Sequence, residues 1–365
     1  MRILIDDGMQ INVGTGIGKY SLYLYNTLKE RLTPPDSVDL SQFEKGNVSK
    51  QKGRIRYLKH INSYNFYKEC GKYDVVHFTN YAMPFLKNNK TRYIVTVHDL
   101  ASFLHPDSLP KIYGVYSRAI IYFAIERADV ILTVSNSVRE EIIEKWPHVS
   151  RKVKVAYPGL YSEFSENHVK NEFSVDKLNG LTKNRFFLFT GTIETRKNLG
   201  IVIKAFIKMK ANNSNNSFKL VLAGRPGYGY EELHELIAQS EYSEDIITTG
   251  YLPKEDILKL YKDAAAYVFP SIYEGFGSTQ LECMINHLPL ILSDIPTNRE
   301  VSGNYGLYFK LGDEEQLLKK MEQIVNGEID YDSMCSLADE ICKKYSWDRL
   351  ISSYIDIYNE SLLQI

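Results

Sequence analysis

The sequence predicts an α/β protein with two doubly wound domains, and three observations lead to this class. The chain has 365 residues, more than one ordinary hydrophobic core holds. Short β-rich runs alternate with helical segments throughout, as in parallel sheets covered by helices. Several strand candidates are nearly continuous apolar runs, which is typical of strands buried on both faces. Each half of the chain carries five or six of them, enough for a Rossmann-like sheet.

The elements follow from runs of β-branched and aromatic residues and from helical periodicity. The strands predicted in the first half are Arg2–Asp6, Asp74–Thr79, Arg92–His98, Val130–Ser135 and Val153–Tyr157. Those predicted in the second half are Phe186–Thr190, Phe218–Gly224, Ile246–Gly250, Ala264–Pro270, Leu288–Ser293 and Leu307–Phe309. Helices are predicted between them, including Gly18–Leu32, Ser137–Trp146, Leu199–Lys210, Lys254–Lys262 and an amphipathic tail, Trp347–Leu363. The polar, irregular stretch between Tyr157 and Phe186 places the break between domains 1–170 and 171–347.

The composition excludes several classes of protein. With 44 basic and 45 acidic residues, no strong field favours a nucleic-acid partner. The four cysteines have no metal-ligand or disulfide spacing and are predicted to be free thiols in a reducing compartment. The first residues do not form a signal peptide, and no apolar run is long enough to span a membrane. A cytoplasmic, soluble enzyme is therefore expected.

The most informative segment runs from Pro270 to Glu282, where Glu274 and Glu282 flank a glycine turn between a strand and a helix. A helix start presents unpaired N–H groups and a positive dipole end, which suit phosphate. A carboxylate beside it can accept hydrogen bonds from sugar hydroxyls. The pattern therefore indicates a nucleotide-sugar site. Thr279–Glu282 also matches a capping box, a structural explanation for Glu282, whereas no such explanation is evident for Glu274.

Two further loops follow predicted strands. Arg196 and Lys197 come after the first strand of the second half, where two cations can clamp a diphosphate; the alternative is a solvated basic pair. The loop after the first strand carries Gly14, Gly16 and Gly18. Two interpretations remain open: these glycines let the backbone approach an anion closely, or they form a connection that binds no ligand. Its spacing matches neither a dinucleotide-binding fingerprint nor a P-loop.

The remaining polar candidates have competing structural explanations. His98, like His77, ends a predicted strand, where a core or capping histidine is the commoner case, and Asp99 is expected to cap the next segment. Asp330 and Asp332 form a D-x-D pattern, but they lie in a polar link and are interpreted as solvated turn residues. No metal site is predicted.

The segment Lys50–Lys72 combines seven basic residues and one acid with interleaved aromatic and aliphatic residues. Two interpretations remain open, a patch that contacts an anionic membrane surface and a helix with a solvated basic face.

Together these motifs resemble those of the retaining GT-B glycosyltransferases of family four, over almost the whole chain. The most specific match is the E-x7-E signature within Phe269–Glu282. Supporting matches are Gly16–Tyr20, Val97–Leu100, Leu132–Ser137, Gly191–Leu199, Leu222–Arg225 and Tyr345–Trp347. The chain departs from the family pattern at Ser278–Gln280, at Cys283 and over Ile285–Pro289, which leaves the donor sugar less defined than the reaction.

The resemblance implies a GT-B architecture, in which two Rossmann-like domains face each other across a cleft and the last helix, 348–365, crosses back to the N-terminal domain. The first half would bind the acceptor and the second half the nucleotide-sugar. The implied roles are diphosphate binding and stabilisation for Arg196 and Lys197, ribose binding for Glu282 and contact with the transferred sugar for Glu274. The amides of Phe276, Gly277, Ser278 and Thr279 would hold phosphate and sugar, His98 would lie beside the sugar, and Gly16 and Gly18 would line the diphosphate.

The implied activity is metal-independent, cofactor-free transfer of a hexose with retention of configuration. The donor would be GDP-mannose, by analogy with the mannosyl branch, or a UDP-hexose. The acceptor would be a glycan, carried on a polyprenyl lipid at the inner face of the cell membrane, in the assembly of an O-antigen or capsule-type surface polysaccharide. A nucleotide-sugar epimerase or hydrolase and a non-catalytic partner protein of the same fold remain as alternatives; the glycine spacing disfavours a nicotinamide dehydrogenase.

Overall fold

A computed structural model of the protein describes residues 1–8, 16–41, 43, 50–164, 172–212 and 217–363. The chain forms two compact units. The first comprises Met1–Phe103, Ile112–Gly159 and Lys344–Ile365, and the second comprises Leu104–Lys111 and Leu160–Lys343. The main change of unit thus follows Gly159, eleven residues before the predicted boundary at 170.

The first unit is built on a parallel sheet of six strands. Its elements along the chain are β1 (Arg2–Asp6), α1 (Gly16–Arg31), β2 (Ser37–Leu40), α2 (Lys50–Ile61), α3 (Tyr64–Cys70), β3 (Val75–Phe78), β4 (Arg92–Val97), α4 (Ala101–Leu104), α5 (Lys111–Arg127), β5 (Val130–Thr133), α6 (Asn136–Lys145) and β6 (Val153–Val155). The strand order is β2-β1-β3-β4-β5-β6, with every pairing parallel. Strands β3 and β5 are buried along their whole length, as their continuous apolar runs predict.

The second unit repeats this plan. Its elements are β7 (Phe186–Thr190), α7 (Leu199–Asn212), β8 (Lys219–Ala223), α8 (Tyr230–Ala238), β9 (Ile246–Gly250), α9 (Lys254–Asp263), β10 (Ala266–Phe269), α10 (Thr279–Met284), β11 (Leu290–Ser293), α11 (Pro296–Ser302), β12 (Leu307–Phe309), α12 (Glu314–Val325) and α13 (Tyr331–Lys344). The strand order is β12-β11-β10-β7-β8-β9, again parallel throughout. The order reverses between β7 and β10, and parallel sheets bind ligands past the carboxyl ends of the strands at such a point.

All eleven predicted strands are present, with ends that differ by up to two residues. The sequence analysis missed β2, which lies at the edge of the first sheet. Its four residues, Ser-Val-Asp-Leu, include one that is buried, so the strand carries almost none of the apolar signal of its neighbours.

The tail helix α14 (Trp347–Leu362) returns to the first unit, as the resemblance implied. The Tyr354 hydroxyl donates to the carbonyls of Ala156 and Tyr157 at 3.1 and 3.0 Å. A side chain at Gly159 would come within 2.6 Å of the Trp347 ring, so the chain passes this helix at a position that only glycine permits. No described helix is both long enough and apolar enough to cross a bilayer.

Candidate functional site

The loops that follow β7 and β10 lie side by side because these two strands are neighbours in the second sheet. After β7, Thr195–Lys197 forms one 3₁₀ turn, and Asn198 takes left-handed backbone angles before α7 begins. The amide of Ile272 donates to the carbonyl of Arg196 at 3.0 Å and ties the two loops together. Lys197 and Glu274, two predicted site residues that are 77 positions apart in the chain, thereby meet at one edge of the sheet.

These loops bring Arg196, Lys197 and Glu274 into one ion cluster. The Lys197 ammonium lies 2.5 Å from Glu274 Oε1, and Arg196 Nη1 lies 3.1 Å from Glu274 Oε2. Arg196 is held further by the carbonyl of Tyr273 at 2.6 Å and by the carboxylate of Glu194 at 2.8 Å. The side chains of the three cluster residues are only 8–16% exposed. Two interpretations are therefore wrong: Arg196 and Lys197 are not a solvated basic pair, and Glu274 does have structural partners.

The cluster fixes the charge of Glu274. Burial by itself would raise the pKa of this carboxyl, but Lys197 and Arg196 outweigh burial and lower the pKa to about 2. Glu274 is therefore ionised at neutral pH. Burial lowers the pKa of Lys197, and Glu274 opposes that shift. The two cations share the Glu274 carboxylate, and Arg196 also pairs with Glu194, so an incoming anion would compete with both carboxylates for them.

Glu282 lies on α10 and is held by a tyrosine. The Tyr261 hydroxyl donates to Glu282 Oε2 at 2.9 Å and lies 3.0 Å from Thr190 Oγ1 at the end of β7. The predicted capping box does not fit the helix start, because Thr279 is the first residue of α10 and not its N-cap, and Ser278, which precedes it with helical backbone angles, makes no side-chain cap bond. Backbone bonds already close the first turn, from Gln280 N to Gly277 O at 2.9 Å among others.

The turn between the two acids needs glycine at Gly277. Its φ is +76°, and an added Cβ would lie 2.5 Å from Gln280 Nε2 and 3.2 Å from the Phe269 ring. Phe276, Gly277 and Ser278 are the last residues of the connection between β10 and α10, and Thr279 is the first residue of α10.

The sequence departure at Gln280 is explained by burial. Gln280 is fully buried, with Nε2 donating to Asn298 Oδ1 at 3.0 Å and Oε1 accepting from Ser302 at 2.6 Å. Both partners lie on α11, so Gln280 joins α10 to α11. An apolar residue at this position would leave these buried polar groups unpaired.

The other predicted site residues, Gly16, Gly18 and His98, belong to the first unit. Gly16 and Gly18 are in the first turn of α1, which begins two residues earlier than predicted, and Gly14 lies outside the described residues. His98 follows β4; its Nε2 is 2.7 Å from the carbonyl of Thr79, and its ring meets Tyr20 edge-on. Burial lowers the pKa of His98, which favours the neutral imidazole.

The structural explanations for three other residues are confirmed. Both ring nitrogens of His77 are bonded inside the core, to Tyr358 and Thr96 at 2.8 Å each. Asp99 accepts a bond from the amide of Ala101 at 3.0 Å, just where α4 begins. Asp330 accepts bonds from the amide and hydroxyl of Ser333 at the start of α13. Asp332, predicted to lie in a turn, is exposed as expected but belongs to the first turn of that helix. Over the described residues, no group of three or more His, Cys, Asp or Glu side chains could hold a metal ion.

The apolar residues of Lys50–Lys72 divide between core and surface. Tyr57, Ile61 and Phe66 are buried in the core of the first unit, whereas Ile55 and Tyr64 are exposed. Most of the interleaved pattern therefore serves packing, and a membrane contact would need apolar residues from other elements as well.

Comparisons with known proteins give two family matches and several close relatives. Residues 170–339 match the glycosyl transferases group 1, and residues 21–164 match glycosyltransferase family 4. The O-antigen chain mannosyltransferase RfbU of Salmonella typhimurium is 30% identical over 336 residues, or 85% of this chain and 88% of that protein. The O-antigen chain mannosyltransferase B of Escherichia coli is 26% identical over 284 residues, or 78% of this chain and 74% of that protein.

Among solved structures, HepE of Anabaena in complex with UDP-glucose matches with a TM-score of 0.70 over 100% of both chains. Its sequence is 14% identical, so this likeness concerns the fold alone. One conclusion follows from the two parallel α/β units, the two family matches and the relative at 30% identity. The chain belongs to the family 4 glycosyltransferases and has their GT-B fold.

Proposed function

We propose that this glycosyltransferase moves mannose from GDP-mannose to a glycan on a polyprenyl lipid, with retention of configuration and without a metal ion. The observation that carries the proposal is the buried cluster of Arg196, Lys197 and Glu274 at the carboxyl ends of β7 and β10. Mannose is favoured because both curated relatives described above are named O-antigen chain mannosyltransferases. The same names favour a role in surface polysaccharide assembly. The inner face of the cell membrane is proposed as the place of transfer because the acceptor is proposed to be lipid-linked.

The proposed reaction assigns roles to Arg196, Lys197 and the leaving phosphate. Arg196 and Lys197 would bind the donor diphosphate and stabilise its charge as the bond from sugar C1 to phosphate oxygen breaks. Because Arg196 and Lys197 would stabilise the charge of the leaving group, no metal is required. The acceptor oxygen forms the new bond to C1 on the same face, and its proton passes to the departing phosphate oxygen. No protein base is needed for this step.

Other groups would hold the donor in place. Glu274 would accept hydrogen bonds from hydroxyls of the transferred sugar, and Glu282 from those of the ribose. The amides of residues 276–279 would hold phosphate and sugar.

A UDP-hexose donor is the second candidate. It is supported by the likeness of fold to HepE, whose structure was solved with UDP-glucose. The reaction and the roles of the acids and cations would be unchanged, because these groups contact the diphosphate, ribose and sugar and not the base.

Thermal unfolding with a panel of nucleotide-sugars tests the donor. A ligand that binds only the folded state stabilises it by RT ln(1 + [L]/Kd), so GDP-mannose is expected to raise the midpoint most. A larger shift with a UDP-hexose would support the second candidate, and no shift with any nucleotide-sugar would contradict the proposal. With the donor identified, product NMR in the presence of a chelator is expected to show an unchanged rate and retained anomeric configuration.

Replacing Tyr261 by phenylalanine tests the role of Glu282. The variant lacks the hydroxyl that holds the carboxylate, so KM for the donor is expected to rise about tenfold while kcat changes little. Steady-state kinetics measure both constants. The matched control is Tyr305→Phe, which removes another buried hydroxyl, one that donates to the carbonyl of Leu288. An equal rise of KM in both variants would mean that the effect is structural.

A further inference from the structure

The loop that carries Glu274 is held by side chains of other elements. Four of the five carbonyls in residues 270–274 accept hydrogen bonds from side chains. Two of these bonds come from Asn198 and Arg196, in the loop that follows β7. The other two come from the place where β11 ends and α11 begins. Because the loop lacks regular backbone pairing, these bonds determine its position.

Two buried hydroxyl groups make the bonds from the side of α11. Thr297 Oγ1 donates to the carbonyl of Glu274 at 2.8 Å, and Ser293 Oγ donates to the carbonyl of Ser271 at 2.6 Å. Thr297 is 3% exposed and Ser293 is 0% exposed, so water cannot replace either bond. The two hydroxyls therefore fix the backbone of the loop, whereas the two cations hold the carboxylate of Glu274.

A chain of buried hydrogen bonds orients the Ser293 hydroxyl. Ser302 Oγ donates to Gln280 Oε1 at 2.6 Å, and Gln280 Nε2 donates to Asn298 Oδ1 at 3.0 Å. Asn298 Nδ2 donates in turn to the hydroxyl and the carbonyl of Ser293, at 3.2 and 2.9 Å. The Ser293 oxygen thus accepts from Asn298, and its proton points to the carbonyl of Ser271. Bonds that follow one another in one direction strengthen each other.

The anchoring of this backbone becomes more important when a donor binds. The Glu274 carboxylate pairs with Lys197 and Arg196, the cations that would bind the donor diphosphate. A diphosphate would draw both cations away from the carboxylate. The carboxylate would then depend for its position on the backbone of its own loop, which Ser293 and Thr297 hold in place.

We propose that Thr297 and Ser293 are positioning residues of the transfer reaction. Their hydroxyls would keep the Glu274 carboxylate in reach of the transferred sugar while the diphosphate occupies the two cations. Neither hydroxyl would touch the donor, since both are directed at loop carbonyls. The inference rests on the proposed function, from which it takes the roles of Glu274 and of the cations.

Transfer rates and nucleotide affinities of Thr297→Val and Ser293→Ala test the proposal. Valine keeps the shape of threonine, and alanine removes only the hydroxyl of serine. Each change is expected to lower kcat at saturating donor about tenfold, the effect of one lost hydrogen bond. The Kd of GDP, or of UDP if that base is preferred, is expected to change by less than about twofold, because neither nucleotide carries the transferred sugar.

Two control variants remove equivalent buried hydroxyls in the first unit. Thr91 Oγ1 donates to the carbonyl of Cys70 at 2.8 Å, and Ser361 Oγ donates to that of Tyr358 at 2.7 Å. Thr91→Val and Ser361→Ala are expected to keep the wild-type kcat. Thr91→Val is also expected to lower the midpoint of thermal unfolding about as much as Thr297→Val does. Thr297→Ser retains the hydroxyl and is expected to keep kcat within about threefold of the wild type.

A double variant shows whether Thr297 acts through Glu274. In the Glu274→Gln background, Thr297→Val is expected to lower kcat by less than about threefold, because the carboxylate that Thr297 positions is already absent. A further loss of about tenfold in that background would overturn the proposal, since the effects of independent residues multiply.

Four other results would also overturn the proposal. These are wild-type kcat in both test variants, equal losses of kcat in the controls, an equal loss in Thr297→Ser, and a fall in GDP affinity as large as the fall in kcat. With an active wild type, each of them leaves the proposed function standing. A wild type that transfers sugar from no nucleotide-sugar would contradict the proposed function itself, and this inference with it.

Discussion

Replacing Lys197 by methionine is expected to lower the rate of sugar transfer by about 100- to 1,000-fold. The ammonium lies in a buried cluster, where a charge that stabilises a leaving diphosphate acts with little screening by water. Methionine keeps the approximate length and apolar stem of lysine and removes only the charge. Single-turnover kinetics with saturating donor measure the effect on the chemical step.

The same change is expected to lower the free energy of unfolding by roughly 1–3 kcal/mol. It takes one of two cations from the buried Glu274, while Arg196 remains at 3.1 Å. The double variant Lys197→Met/Glu274→Gln also removes the buried carboxylate that has lost one of its two cations, so it is expected to recover stability without recovering transfer. If Lys197→Met transferred sugar within about threefold of the wild-type rate, a catalytic role for the ammonium would be contradicted.

Replacing Glu274 by glutamine is expected to affect binding and transfer in opposite directions. The carboxylate is ionised and lies against both cations, so it competes with a diphosphate for them. Its removal is expected to tighten binding of GDP about tenfold, since one like charge leaves the diphosphate site. Transfer is expected to fall about 100-fold, because the amide is a weaker acceptor for the sugar hydroxyls than a carboxylate.

Isothermal titration with GDP and initial rates with GDP-mannose measure the two effects. The matched control is Glu315→Gln, which removes an exposed carboxylate that pairs with Lys208. A merely structural role for Glu274 would weaken both binding and transfer. Tighter GDP binding with normal transfer would place Glu274 at the diphosphate but away from the transferred sugar.

The strands and their parallel arrangement could be predicted from the sequence, because buried parallel strands leave continuous apolar runs such as Phe186–Thr190 and Ala266–Phe269. The strand order carries no comparable local signal. Glu274 meets Lys197 because β10 lies next to β7 in the sheet. The ion cluster therefore could not be deduced from the spacing of these residues in the sequence. The interpretation of Glu274 as an acid without structural partners failed for this reason.

The hydroxyl groups that hold Glu282 in place were not predicted, for a related reason. Tyr261 and Thr190 contribute hydroxyls that come from α9 and from the end of β7, and neither residue belongs to a recognisable motif. The capping-box pattern at Thr279–Glu282 favoured a local partner, but the helix begins with Ser278 already in helical geometry. Local pattern rules name the residue types at such a site, while tertiary contacts decide their partners.

The most direct test of the central claim is titration of the protein with GDP, GMP and guanosine, or with the uridine series if that base is preferred. If Arg196 and Lys197 bind the diphosphate, GDP should bind at least about tenfold more tightly than GMP. That difference should nearly vanish in Lys197→Met and persist in Lys319→Met, which alters an exposed lysine on α12. Equal affinities for GDP and GMP, or the same difference in both variants, would contradict the assignment of this cluster to the donor diphosphate.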